Sequence, residues 1–314
     1  MKNNLTIFDD NNNIQEFYKL LKAEGTGQKT LLAFQDIIKN YYRKNGRVFS
    51  WRQNITPYHI VVSEIMLQQT QTDRVISKFE LFIDIFPDFK ALANAPFEQL
   101  LRTWKGLGYN RRAIALQKVA QKVMTEFNGV LPNSVDTLAT FPGIGRATAS
   151  SIVGFAFNSP TVFIETNIRT VFIYFFFYDK INKRILIHDK EILPLVEKTV
   201  DQDNPRAWYY ALMDYGVLLK KQVGNLSRLS SHYTKQSKFE GSDRQIRGKI
   251  LQLLLDYHQL TISQIIDMLA KEEQRVLKII SDLDQEGFIC NTSQGLCLVQ
   301  DKQNRAPSHP STRS

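Results

Sequence analysis

Cysteine is scarce in this chain, and long apolar runs are missing. Its 314 residues include only two cysteines, Cys290 and Cys297, both near the C-terminus. Two thiols exclude a four-cysteine iron–sulfur or zinc site within the chain, and so few in a chain this long argue against a disulfide framework. No stretch of about 18 apolar residues occurs, so no membrane span is expected. The longest apolar run, Val171 to Phe177, has the length of a buried helix segment. The start, Met-Lys-Asn-Asn-Leu, lacks the apolar core and small-residue cleavage site of a secretory leader, and a cytoplasmic protein is expected. Strand-type alternation is rare, and there are no internal repeats. Positive charge is in modest excess, with 40 Lys and Arg against 31 Asp and Glu and a net charge of +9. That balance suits nucleic acid as a partner but fits a basic enzyme equally well.

The order of patterns suggests an all-α body followed by a small appended domain. Residues 1–28 read as an N-terminal extension, polar at first and then helical over 14–24, where Ile14, Phe17, Leu20 and Leu21 share a face. Residues 29–219 are a series of helical patterns broken by proline and glycine. Residues 220–245 form a basic connecting arm. From Lys220 to Lys249 there are eight Lys or Arg against Glu240 and Asp243. Residues 246–300 read as a separate winged-helix-like domain. It has helices over 246–257, 262–269 (capped by Thr261) and 271–285, then a β-hairpin turning at Ser293-Gln294-Gly295. The Pro/Ser/Arg-rich tail, 301–314, is expected to be disordered.

The most specific local feature is Leu138-Ala-Thr-Phe-Pro142-Gly143-Ile144-Gly145-Arg146-Ala-Thr-Ala149. A short helix runs into Pro142, and another, Arg146 to Phe157, starts right after Gly145. The glycines permit a tight turn and close approach of a backbone. The new helix begins with amides that lack intrahelical acceptors and with the positive end of its dipole, which suits a phosphate without reading sequence. A plain helix–helix turn has the same pattern.

Two carboxylates stand out. Glu165 lies between the apolar, strand-like Val162-Phe-Ile and the start of a new helix, where an ionised acid is favoured; simple capping is the alternative. Glu64 sits beside the face formed by Val61, Ile65 and Gln68, where apolar neighbours would raise its pKa; a surface glutamate at a stripe's edge is the alternative.

Five motifs then fall in a recognisable order. They are Trp51-Arg52, Ser63 to Thr70, Trp104-Lys-Gly-Leu-Gly-Tyr109, Pro142 to Ala149, and Ala211-Leu-Met-Asp214-Tyr-Gly216. Together, over roughly residues 30–220, they resemble the helix-hairpin-helix DNA glycosylase superfamily and, within it, the MutY-type adenine glycosylases. The resemblance implies two helical lobes with a DNA cleft between them and a target base flipped out of the duplex. By position, Glu64 matches the family's general acid, Glu165 stands where its catalytic Asp is found, and Asn167 matches an assisting Asn. Gln69 and Tyr109 match groups that probe or wedge the base stack. Arg52, Gln68, Thr70, Gly143, Gly145 and Arg146 are further expected DNA contacts, joined by Lys220 and Lys221 at the start of the arm. Double-stranded DNA holding a mispaired or damaged base is the expected partner, bound by a monomer.

The chain departs from the family in three places. Position 165 is Glu rather than Asp. Ala147 occupies the place where bifunctional relatives carry a lysine, and the adjacent Arg146 stays protonated and cannot form a Schiff base, so no lyase is expected. Lys220 stands where the first cysteine of the family's iron–sulfur loop would be, and no cysteine follows until Cys290, so no cluster, metal or other cofactor is expected. The leading expectation is a monofunctional glycosylase acting on adenine in a mispair. A non-catalytic binder of damaged DNA and a winged-helix regulator are the alternatives. The acidic residues of the appended domain's third helix, including Glu272, Asp282 and Glu286, disfavour the regulator.

Overall fold

The computed structural model describes residues 11–299. The first ten residues and the tail expected to be disordered lie outside that range. The chain forms two compact units. One takes the residues up to Glu64 together with Leu131–Lys235, and the other takes Ile65–Val130 together with the chain from Gln236 onward. The chain therefore leaves the first unit, builds part of the second, returns, and leaves again. Among the described residues, no helix is long and apolar enough to cross a membrane.

The first unit is built around the helix Thr166–Phe176, in which Ile168, Val171, Phe172, Ile173 and Phe175 are fully buried. An apolar surface all round marks a central helix rather than an amphipathic one. It packs against Pro205–Gln222, started by the Asn204 cap and Pro205, and both meet Gln28–Asn45. The aromatic side chains Phe34, Phe172, Phe175 and Trp208 meet there, Phe175 and Trp208 edge-on to Phe34 and Phe172 tilted against it, with Phe34 5.3 Å from Phe172 and 5.8 Å from Trp208, centre to centre. Gly216 shows why that helix needs a glycine. A Cβ there would lie 2.5 Å from the Asn167 carbonyl oxygen, so only glycine lets the two helices approach so closely. The strand-like run Val162 to Ile164 forms no strand; it leads in open backbone into Glu165. The short helix before the hairpin spans Val135–Leu138, capped by Ser134.

The second unit joins the helices Thr72–Ile85, Phe89–Ala93, Phe97–Trp104 and Arg111–Glu126 to the C-terminal module. Three helices of that module, Asp243–Tyr257, Ile262–Leu269 and Glu273–Gln285, pack on a small antiparallel sheet. Its strands are β1 (Gln259–Leu260), β2 (Ile289–Thr292) and β3 (Gly295–Leu298), in the order β1-β3-β2. Thr261 and Gln264 form a reciprocal capping box, which fixes the start of the second helix. The sequence does not show β1, since two residues leave no periodicity to read. The expected separateness of this module is also not seen. Its core, formed by Ile250, Leu254, Leu283 and Phe288 among others, runs on into Phe97 and Leu101 of the helix Phe97–Trp104.

The basic stretch is not one featureless arm. Lys220 and Lys221 lie in the last turn of Pro205–Gln222. A 3-10 turn, Leu226–Leu229, and a bridge between Ile187 and Ser230 then hold the chain to the first unit. Arg244 and Arg247 already belong to the first helix of the C-terminal module.

Within the second unit a buried arginine ties two loops together. Arg112 lies on the inner stripe of Arg111–Glu126 with Ala113, Leu116, Val119, Ala120 and Val123. Its guanidinium donates to the carbonyls of Ile65 and Met66, at 3.0 and 2.8 Å, and also to that of Gln68. On the other side it reaches Thr70 Oγ1 at 3.0 Å and the carbonyls of Leu107 and Gly108 at 3.2 and 3.0 Å. With carbonyls and no carboxylate around it, burial lowers its pKa to about 10, which leaves it charged at neutral pH.

Candidate active site

The loop Phe141-Pro142-Gly143-Ile144-Gly145 is a tight turn. Gly143 has φ of +72°, and Ile144 is buried beneath the turn. Gly145 is the N-cap of Arg146–Phe157, and no side chain caps that end. Gly145, Arg146 and Ala147 are exposed. Arg146 forms an exposed pair with Asp136, 2.8 Å apart. Such exposed pairs hold little energy.

The same helix reaches the first carboxyl group. Ser151, fully buried on Arg146–Phe157, places its hydroxyl 2.6 Å from Glu64 Oε2 and 3.0 Å from the Thr148 carbonyl. One hydroxyl proton serves either neighbour. When Glu64 is ionised, Ser151 donates to it; when Glu64 is neutral, Glu64 can donate to Ser151 while Ser151 donates to Thr148. The site thus accommodates both protonation states. Burial, and then the nearby charge of Glu165, push the Glu64 carboxyl up from 4.5 to about 8; the Ser151 hydrogen bond and Arg52 pull the other way.

Glu165 is the N-cap residue of Thr166–Phe176 and makes no side-chain capping bond. Protein surrounds it on most sides, yet the residue keeps exposed surface. Desolvation raises its pKa above the ordinary carboxylate value, and the charge of Arg169 opposes this only in part. Arg169 is itself held by Asp189 through contacts of 2.8 and 2.7 Å. Of the two acids, the one with more exposed surface, a helix N-terminus and a cation nearby ionises first. Glu64 therefore keeps its proton to higher pH than Glu165 does. Asn167, the second residue of the same helix, is half-buried.

Arg52, expected at a DNA surface, occupies a different place. Its side chain is 7% exposed, with Nη1 and Nη2 bound to the two oxygens of Asp214 at 3.0 and 3.1 Å. Its guanidinium lies over the rings of Phe49 and Tyr210, at 4.9 and 4.2 Å from their centres. Arg47 also binds Asp214, through its main-chain amide and its guanidinium. The buried charge of Arg52 is thus paired and acts on Glu64 only at a distance. Tyr210 lies against this pair with its hydroxyl buried and unpartnered. Lys220 and Lys221 are exposed on the first unit.

The remaining expected contacts lie on the second unit. Gln68, Gln69 and Thr70 follow the end of the helix Pro57–Leu67, and Tyr109 precedes Arg111–Glu126. Gln69 and Tyr109 have φ of +54° and +50°, a left-handed conformation that side-chain-bearing residues rarely adopt and that clusters at functional sites.

Three contributors escape notice in the sequence. Ser151 could have been found as a polar residue directly before the apolar Ile152-Val153 of the hairpin helix. Arg112 shares helical spacing with Leu116, Val119 and Val123, which marks an arginine on a core stripe. Nothing local announces that Asp214 and Arg52 are partners.

Residues 62–194 match the family model described as HhH-GPD superfamily base excision DNA repair protein. Over this stretch the chain is similar to that helix-hairpin-helix superfamily and, within it, to the MutY-type adenine glycosylases. The adenine DNA glycosylase of Buchnera aphidicola subsp. Baizongia pistaciae is 36% identical over 195 residues, covering 60% of this chain and 54% of the relative. That of Mycolicibacterium smegmatis is 38% identical over 133 residues, 42% and 45% of the two chains. The human adenine DNA glycosylase is 34% identical over 148 residues, 44% of this chain and 27% of its own. The chain thus spans about half the length, or less, of these curated relatives. A thermostable thymine-DNA glycosylase of known structure shares the fold at a TM-score of 0.54 and 24% identity, over 60% of this chain and 87% of its own.

A raised Glu64 pKa makes stability depend on pH in a definite direction. In the unfolded chain the carboxyl ionises near its ordinary value, whereas the folded protein holds the proton to about 8. Between those values the unfolded state binds fewer protons, so this residue's contribution falls as pH rises and levels off above 8. Urea unfolding should show Glu64→Gln gaining on the natural protein between pH 5 and 8. Parallel stability curves over that range would mean that Glu64 titrates normally.

Proposed function

We propose that this protein is a DNA glycosylase that hydrolyses the N-glycosidic bond of a base flipped out of a duplex, and that the base is adenine in a mispair. The observation that carries the reading is the unlike pair of carboxyl groups in one unit: Glu64 half-buried against the Ser151 hydroxyl, and Glu165 exposed on a helix N-terminus near Arg169. Cleavage of such a bond needs a proton on the departing base and a negative charge beside the cationic sugar. Neutral Glu64 gives its proton to a ring nitrogen of the base as the bond to C1′ breaks and the bonding pair stays with the base. Ionised Glu165, with Asn167 beside it, stabilises the oxocarbenium ion. Water then bonds to C1′ and returns a proton to the carboxyl pair.

The rest of the reading follows from the same residues. Ala147 offers no amine, so the reaction stops at the abasic site. The chain's two cysteines face each other across β2 and β3, with Sγ atoms 2.8 Å apart, and Lys220 stands where a cluster ligand would be. These residues do not fit a four-thiolate iron–sulfur cluster, and no step is routed through one. The amides at Gly145, with Lys220 and Lys221, grip the phosphates of double-stranded DNA. One observation favours a second reading, a weak or inactive binder: the extra methylene of Glu165 shifts the carboxylate by about an ångström, which can cost ~100-fold in rate.

Single-turnover incubation with duplexes that each hold one mispaired or damaged base tests this. The expected product is free adenine, with strands that break only after alkali. Glu64→Gln and Glu165→Gln should each cost ~10²–10⁴-fold in rate while DNA is still bound. Glu165→Asp separates a weakened enzyme, which gains rate, from a pocket built around glutamate, which loses it. Replacing Lys220 and Lys221 with glutamine should flatten the log K against log[salt] slope by roughly 0.9 for each phosphate that is no longer neutralised. Direct nicking would overturn the monofunctional assignment, and tight binding without release of any base would leave the binder.

A further inference from the structure

The turn between Phe97–Trp104 and Arg111–Glu126 is held from two sides, and only one hold is local. Gly106, Gly108 and Tyr109 all have left-handed backbones, with φ of +97°, +70° and +50°. Tyr109 is the one without a glycine's freedom, so its conformation persists only where its surroundings enforce it. From within the turn, Trp104 Nε1 donates to the Gly108 carbonyl at 3.1 Å, as does Arg112 at 3.0 Å.

The second hold comes from more than 120 residues later in the chain, within the same unit. Gln236 Nε2 and Arg244 Nη1 both donate to the Tyr109 hydroxyl. The Arg244 guanidinium also lies 4.9 Å from the centre of the Tyr109 ring and 5.3 Å from that of Phe239. Two residues past Tyr109, Arg111 pairs with Glu286, which also binds Arg247 at 3.0 and 2.6 Å. The C-terminal module therefore grips the turn on both sides of Asn110. A module needed only for packing already has Phe97 and Leu101 built into its apolar core, and that packing does not call for a planar cation on a tyrosine hydroxyl.

We propose that Arg244, assisted by Gln236, is a positioning residue that fixes the hydroxyl and ring plane of Tyr109 so that this side chain can test the base stack. The proposal rests on the reading above, in which the protein binds duplex DNA and Tyr109 meets the bases. It gives the C-terminal module a role in discrimination without requiring its acidic third helix to touch DNA. Arg244 makes no catalytic contact; it acts through Tyr109.

The test uses the full chain and a duplex with 2-aminopurine next to a mispair, whose fluorescence rises when the base unstacks. In the natural protein, binding should raise the signal more for the mispair than for a matched control. Arg244→Met should reduce this difference roughly tenfold, the scale of one hydrogen bond from a charged donor. Thermal stability and matched-duplex affinity should stay near the natural values. The effect should vanish in a Tyr109→Phe background, where no hydroxyl remains to be held, and Arg244→Lys should restore only part of it because the planar fork is gone. Equal loss for matched and mispaired duplexes in both backgrounds would make Arg244 a phosphate contact and overturn the proposal. A fall in thermal stability with discrimination intact would overturn it in favour of a structural role. If the natural protein binds DNA but unstacks nothing, the Tyr109 reading itself fails and the proposal falls with it.

Discussion

Two carboxyl groups that share a poorly solvated place cannot both be charged at low cost. Much of the first unit answers that constraint. Glu64 is given a hydroxyl partner that serves either protonation state. Glu165 is given a helix N-terminus, some solvent and a nearby cation. The buried cation Arg52 is bound to Asp214 instead of to Glu64. Were Arg52 free to pair with Glu64, it would favour the ionised form and remove the proton that an acid catalyst needs. The motif Ala211-Leu-Met-Asp214-Tyr-Gly216 thus contributes two separate things from one helix. Asp214 occupies Arg52, and Gly216 lets the helix approach the backbone of Asn167.

The second unit solves a different problem, that of holding side-chain-bearing residues in left-handed turns. Gln69 and Tyr109 stand at the tips of two loops, and one buried guanidinium, that of Arg112, gathers the carbonyls of both. An arginine in a nest of carbonyls fixes geometry through several donors at once, which a lysine could not do. Arg111, its neighbour, points outward to Glu286 and ties the same turn to the C-terminal module.

Local pattern made much of this legible. The hairpin helix begins at Arg146 and ends at Phe157, where glycine spacing and apolar periodicity suggest. Thr261 caps its helix as a threonine three residues before a glutamine should. The raised pKa of Glu64 follows from apolar neighbours on one helix face. What sequence could not show depends on distant partners. The burial of Arg52 requires Asp214, 162 residues away. The shared core of the C-terminal module requires Phe97, whose spacing marks it only as buried. Val162 to Ile164 read like a strand but have no neighbouring strand, and without one the ladder cannot form.

The central claim is that a neutral Glu64 and an ionised Glu165 act together, and the pH dependence of single-turnover base release tests it most directly. The rate should hold through neutral pH, fall about tenfold per unit above pH 8 as the Glu64 proton is lost, and fall at low pH as Glu165 gains one, both limbs belonging to the coupled pair. A rate that rises steadily through pH 9 would contradict the account, because the acid it requires would then be absent where the reaction is fastest.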